Sequence, residues 1–233
     1  MAVLDLHKPA GKATIADRIE ADLRADILHG RLAPGSRLNL DSLRGKMDVG
    51  LSPLREAVTR LVAEGLIEVA AQKGYTVTPI SLANLNEVSA LRIELEPYAL
   101  RRSIENGGLD WEAEVMGALH RLNRTERIPD DPASLADWEA ANNAFHLALI
   151  RRCDMPLLLK IHHSLVSMND RYRHIYLKAA RVQREVIDEH TAIAEAAVAR
   201  QADRAAALLT GHIERSTNNL RRLIAADLPP EAT

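Results

Sequence analysis

The chain has 233 residues, 47% hydrophobic and 27% charged, with a formal net charge of -2. At about 100 to 150 residues per domain, that length and apolar content suit two packed domains. Aromatics at 3% argue against an exposed sheet of rings for stacking single-stranded nucleic acid, and the single cysteine, Cys153, excludes an intrachain disulfide and fits a reducing cytoplasm. No run approaches the ~20 apolar residues of a membrane span, and MAVLDLHKPAGK lacks the apolar segment of a signal peptide, so a soluble cytoplasmic protein with no membrane partner is expected. Residues 1–80 hold 11 Lys/Arg against 10 Asp/Glu and the remainder 19 against 22, a slightly basic front that permits DNA binding without demanding it.

Thr14 reads as the N-cap of a helix to about His29, with Ile15, Ile19, Leu23, Ile27 and Leu28 as its apolar stripe. Gly30 stops it, and LAPGSRL forms a turn. Asp41 is expected to cap a short helix over 42–46, and a third helix to begin at Ser52 with Pro53 at its first position, where a missing N–H costs nothing. Its buried side is Leu54, Val58, Leu61 and Val62, which turns Arg55, Thr59 and Arg60 away from the core. Gly65 ends it. Leu66–Val69 and Tyr75–Thr78 then read as two strands joined by a turn containing Lys73 and Gly74. Three helices followed by a hairpin is the order of a winged helix-turn-helix.

SPLREAVTRLVAEGLIE (Ser52–Glu68) followed by KGYTV (Lys73–Val77) resembles the DNA-binding domain of the GntR family of bacterial transcription regulators. The resemblance implies that the helix from Ser52 enters the major groove of a palindromic operator, as half of a homodimer, while the hairpin wing approaches the minor groove. It places a phosphate-contacting hydroxyl at Ser52, the main base- or phosphate-contacting arginine at Arg55, and the wing tip at Lys73 and Gly74; Arg44 and Arg60 complete the expected DNA-contacting set. Gly50 stands where the family commonly has Ser or Thr, and Leu51 where it usually has Arg. The latter removes a bidentate reader of guanine, so an operator unlike the family's commonest one is expected.

Ser81 can cap the next helix, and from there the period is helical over 82–106, 111–127, 134–152, 156–179, 181–200 and 204–225. Pro97 should bend the first of these. Six amphipathic helices with short connections predict an antiparallel all-α bundle, with LPPEAT as a frayed tail. The overall expectation is a mainly α protein: a winged helix-turn-helix over 10–79 and a helical effector-binding and dimerisation domain over 82–226.

WEAANNAFHLALIR (Trp138–Arg151) places Asn142 and His146 four residues apart on a face otherwise made of Trp138, Phe145 and Leu149. His190 lies among Val186, Ile187, Ile193 and Ala194, and His212 among Leu208, Leu209, Ile213 and Ser216. Three histidines on the apolar sides of three helices leave two readings open: core imidazoles each hydrogen-bonded to a neighbour, or a metal site that gathers them. His7, His29, His120, His162, His163 and His174 have no evident partner set.

ALRIELEPYAL (Ala90–Leu100), NNAFHLALI (Asn142–Ile150) and EVIDEHTAIAEAAVARQADRAAALLTGHI (Glu185–Ile213) resemble the FCD ligand-binding domain of the FadR subgroup of GntR regulators. The resemblance implies a divalent metal, Zn²⁺ with Ni²⁺ or Mn²⁺ as alternatives, at His146, His190 and His212, with Asn142 where the family carries Asp and a small carboxylate effector completing the coordination. An amide oxygen brings no charge, so the site should hold metal less tightly and favour an anionic effector more. Arg92, Arg171, Tyr172 and Arg173 are the candidates to pair an effector's second acid group, with surface salt bridging as the plainer alternative.

The expected function is a transcriptional repressor that senses a small carboxylate. The alternatives are the same regulator with a purely structural metal, or a metal-dependent hydrolase using Glu189. The last is disfavoured because neighbouring helix residues point about 100° apart, which turns Glu189 away from a metal on His190.

Overall fold

The computed structural model describes residues 13–70, 74–177 and 184–227. Two compact units divide between Thr78 and Pro79, each with its own apolar core.

In the first unit α1 (Ile15–Leu28) opens with a reciprocal cap: the Thr14 hydroxyl accepts from the Asp17 N–H, and the Asp17 carboxylate accepts from the Thr14 N–H. Ile19, Leu23 and Ile27 form its buried stripe, while Ile15 is exposed. α2 (Leu40–Met47) begins two residues before the expected range because Asn39, not Asp41, is the cap, accepting from the Ser42 N–H at 3.0 Å. α3 (Leu51–Ala63) starts one residue before Ser52, so Pro53 is its third residue. The physical expectation survives the shift, since the third N–H of a helix also lacks an intrahelical acceptor. Gly65, at φ +75°, ends α3 by donating to the Val62 carbonyl while Leu66 donates to that of Leu61.

Sequence periodicity missed a strand. β1 (Arg37–Leu38) is too short to show alternation, yet it pairs antiparallel with β3 (Gly74–Val77), which also pairs with β2 (Ile67–Ala70), in the order β1-β3-β2. The two wing strands fall one residue from the expected limits, and Ile67 faces Val77.

The second unit is a bundle of six helices among the described residues: α4 (Leu82–Asn106), α5 (Leu109–Arg124), α6 (Pro132–Ile150), α7 (Pro156–Tyr176), α8 (Arg184–Val198) and α9 (Ala202–Asp227). Ser81 caps α4 through the Asn84 N–H, and the helix runs unbroken through Pro97. The expected ends of the fourth and fifth bundle helices at 179 and 181 lie outside the described residues, as do residues 10–12 and the tail from Leu228. α6 is buried around most of its circumference because α4, α5 and α7 all pack against it. The Trp111 indole on α5 donates to the Ala148 carbonyl at 2.9 Å and fixes α5 against α6. Among the described residues no helix is long and apolar enough to cross a membrane.

Candidate metal centre and nucleic-acid face

α6, α8 and α9 each project one histidine into the bundle. His146, His190 and His212 are all buried, and their ligand nitrogens lie within 4.8 Å of one another. Ring centroids are 4.6 Å apart for His190 and His212, 5.2 Å for His146 and His212, and 5.4 Å for His146 and His190. Phe145 closes one side, its ring edge-on to both His146 and His190. Burial, with the neighbouring histidines adding to it, holds His146 and His190 well below the usual histidine range. His212 is also lowered by burial, against the pull of Glu189. All three are therefore neutral at pH 7, the form that offers a lone pair to a metal.

A carboxylate orders this set. Glu189 reaches across to α9, where its Oε2 lies 2.7 Å from His212 Nδ1 and its Oε1 accepts from Arg215 at 2.5 Å. Burial raises the Glu189 carboxyl, but the hydrogen bonds from His212 and Arg215 outweigh it and leave the group below its usual range. An ionised Glu189 makes His212 Nδ1 the protonated nitrogen and leaves Nε2 as the lone-pair atom, 3.3 Å from His190 Nε2. Glu189, next to His190 in sequence, thus acts through the outer nitrogen of a histidine on the next helix, a role its position on α8 alone does not reveal.

The donor set fits a divalent transition metal. Two imidazole nitrogens face each other with one proton at most to share, and His146 Nδ1 is buried with no hydrogen-bond partner. An orphaned buried nitrogen costs about 1–3 kcal/mol, and a divalent cation held by the three imidazoles would supply it with a partner.

Asn142 is buried and lines a small cavity with His146 and His212. Arg92 and Arg173 line the same cavity, but neither guanidinium is spare. Arg92 Nε donates to Glu96 at 2.5 Å, and Arg173 Nε donates to Glu139 at 2.8 Å. Arg92 and His162 together overcome burial and hold Glu96 well below the carboxylate range. His162, passed over in the sequence, is thus a buried partner of Glu96 at 3.5 Å. Arg171 and Tyr172 are placed elsewhere, a correction to the expected effector set. The Tyr172 hydroxyl donates to Asn84 at 2.8 Å and Arg171 to the same oxygen at 3.4 Å, so both brace the start of α4. Arg173, next in sequence, turns instead to Glu139 on α6.

In the first unit Ser52 and Arg55 are exposed on α3 and Arg44 on α2, and Arg44 and Arg55 make no ion pair among the described residues. Gly50 caps α3 without a side-chain acceptor, which leaves its first N–H groups open to a phosphate. Arg60 corrects the expected set: it donates to Asp17 at 2.7 Å, Glu20 at 3.2 Å and Glu56 at 2.5 Å, which clamps α3 to α1. Gly74 sits at φ +77° at the start of β3, and Lys73 lies outside the described residues.

Residues 15–77 match the bacterial regulatory proteins of the gntR family, and residues 87–215, more than half of the chain, match the FCD domain. The chain belongs to the GntR family. It is similar to the uncharacterized HTH-type transcriptional regulator BphR of Paraburkholderia xenovorans, 41% identical over 92% of this chain and 89% of that protein. It is also similar to the HTH-type transcriptional repressor GlaR of Escherichia coli, 32% identical over 82% of this chain and 89% of the relative. The solved structure of E. coli McbR/YncC superposes with a TM-score of 0.73 at 25% identity, covering 92% of this chain and 99% of that one.

This GntR regulator is accordingly a DNA-binding transcription factor with an FCD domain, and its relatives are regulators, not enzymes. The sequence brought up Glu189 only as a base for hydrolysis and passed over Glu96, His162 and Asp170 as buried groups of the bundle. Asp170 is buried with Oδ2 accepting from Asn143 at 2.6 Å and Oδ1 without a partner. A buried carboxylate flanked by Arg171 and Arg173 on one helix carried no periodic signal to set it apart from surface charge.

Proposed function

We propose that this regulator is a cytoplasmic homodimeric repressor whose grip on a palindromic operator is set by a small carboxylate bound at a metal, Zn²⁺ first and Ni²⁺ or Mn²⁺ as alternatives, on His146, His190 and His212 with Asn142 as a fourth donor. The reading assigns operator binding to residues 10–79, through Ser52, Arg55, Arg44, Lys73 and Gly74, and effector binding with dimerisation to residues 82–226. The observation that carries it is the convergence of three neutral imidazoles from three helices, with His146 Nδ1 buried and unpartnered. Three imidazoles and an amide leave coordination positions open, unlike a closed structural zinc site. The similarity to GlaR, an HTH-type transcriptional repressor, supports the sign of regulation.

A structural metal is the second reading. It is favoured by the small cavity beside the histidines, about 10 Å³, room for about one water. The two separate in a gel-shift assay on a DNA fragment selected from random sequence by the purified, zinc-loaded chain. Acetate, lactate and benzoate are the acids tried first. Under the sensing reading at least one acid changes DNA affinity by about tenfold, a coupling of about 1.4 kcal/mol, and His190→Ala abolishes the response. If acids leave DNA affinity unchanged while His190→Ala unfolds the bundle, the metal is structural.

A further inference from the structure

The first turn of α3 carries an apolar side chain that takes no part in the core. Leu51 is the first residue of the helix, directly after the Gly50 cap, and it is partly exposed. The core of this unit takes in Leu54, Val58 and Leu61 from α3, with Val49 and Val62 packed at its edge, but Leu51 is not among the residues packed against it. Single exposed leucines are common on protein surfaces. This one stands at the start of the helix expected to read DNA, one turn before Arg55.

The helical period puts Leu51, Arg55 and Thr59 in one row along α3. Arg55 is exposed and makes no ion pair among the described residues. The Thr59 hydroxyl donates to the Arg55 carbonyl at 2.8 Å, which commits its proton. Glu56, beside the row, is held by Arg60 at 2.5 Å. The row therefore offers one open cation and, one turn earlier, one apolar side chain. In a helix-turn-helix the N-terminal residues of the second helix lie against base edges in the major groove. There guanine presents two acceptors to an arginine, and thymine is the one base that presents a methyl group.

We propose that Leu51 is a specificity-determining residue that reads thymine through its C5 methyl group, next to a guanine read by Arg55. One helical turn advances about 5.4 Å and one base pair about 3.4 Å, so the thymine lies one or two base pairs from that guanine. The proposal rests on the reading of α3 as the DNA-contacting helix. It goes beyond the loss of an arginine at this position, because the leucine supplies a contact of its own and changes which base is preferred.

The test uses the full chain on the DNA it selects from random sequence, in gel shifts with each thymine of the selected site replaced in turn by deoxyuridine, which removes the methyl group and keeps the base pair. At one thymine within two base pairs of a guanine, the replacement should weaken binding by about fourfold, the effect of returning one methyl-sized apolar group to water. Leu51→Ala is expected to bind thymine and uracil at that position equally, and Leu51→Arg to select guanine there in place of thymine. The comparison of thymine with uracil needs no variant, and Leu51→Arg provides a second check if Leu51→Ala fails to fold. A site in which no uracil replacement changes affinity overturns the proposal. So does a fourfold loss that persists in Leu51→Ala, which would give the methyl contact to another side chain of the row, such as Thr59. The underlying reading fails separately: if Arg55→Ala leaves binding to the selected DNA intact, α3 is not the reading helix and the proposal falls with it.

Discussion

Glu189 and Asp170, the two carboxylates nearest the histidine centre in function, are driven in opposite directions by their surroundings. Glu189 is held ionised by His212 and Arg215, and its charge raises the basicity of His212 through Nδ1. Glu189→Gln keeps the shape and removes the charge, so zinc affinity should fall by about 10- to 100-fold, read by competition with a chelator, with the fold unchanged by circular dichroism. Asp170 is pushed up from 3.8 to about 7, first by burial and then by the Glu139 carboxylate, against Arg173 and Asn143. Between those two values the folded state holds a proton that the unfolded chain has released. The contribution of Asp170 to the stability of the metal-free protein therefore falls as pH rises from about 4 to about 7, with no further slope from this group above that. Asp170→Asn removes the titration. Urea midpoints measured across this range should show the variant gaining on the wild type towards pH 7, by an amount on the order of a few kcal/mol; a constant difference would contradict the assignment.

At the scale of elements, α1 and α3 show how two arginines on one helix divide between structure and function. Arg55 and Arg60 both lie off the apolar stripe of α3, and periodicity treats them alike. Arg60 is spent on Asp17, Glu20 and Glu56, and its hydrogen bond is the main reason the Asp17 carboxyl falls to about 2. Arg60→Ala should lower the thermal midpoint of the first unit only slightly, because these ion pairs are screened by solvent, while Arg55→Ala leaves it essentially unchanged. On the selected DNA the order reverses: Arg55→Ala weakens binding by about 1–3 kcal/mol, and Arg60→Ala has the smaller effect. Thermal unfolding and gel shifts on the same two variants check this.

Local signals carried the helices well. The Thr14 cap, the glycine after α3 and the Ser81 cap are all interactions within three or four residues, and each appears where the spacing placed it. The elements that escaped depend on distant partners. Arg37–Leu38 is a strand only because the distant β3 offers an edge in register, Arg37 opposite Thr76 and Leu38 opposite Tyr75. The exchange of Asp41 for Asn39 as the cap of α2 is a two-residue slip between two good capping residues, which propensity alone does not rank.

For the whole molecule, the histidine centre gathers residues up to 66 positions apart, from His146 to His212. The apolar neighbours of each histidine were readable, because burial follows the helical period, and so was the prospect that the three would meet. The sequence by itself determined the two-part order of the chain, the winged helix-turn-helix pattern, the six-helix bundle and the inward side of each helix; periodicity and capping are local and need no partner to be read. Only the tertiary structure decided which polar groups face one another: that Glu189 serves His212, that Glu96 and Glu139 take up Arg92 and Arg173, and that Arg171 and Tyr172 brace α4. Those pairings depend on which helices pack side by side and at what rotation, and neither is encoded in the period of a single helix.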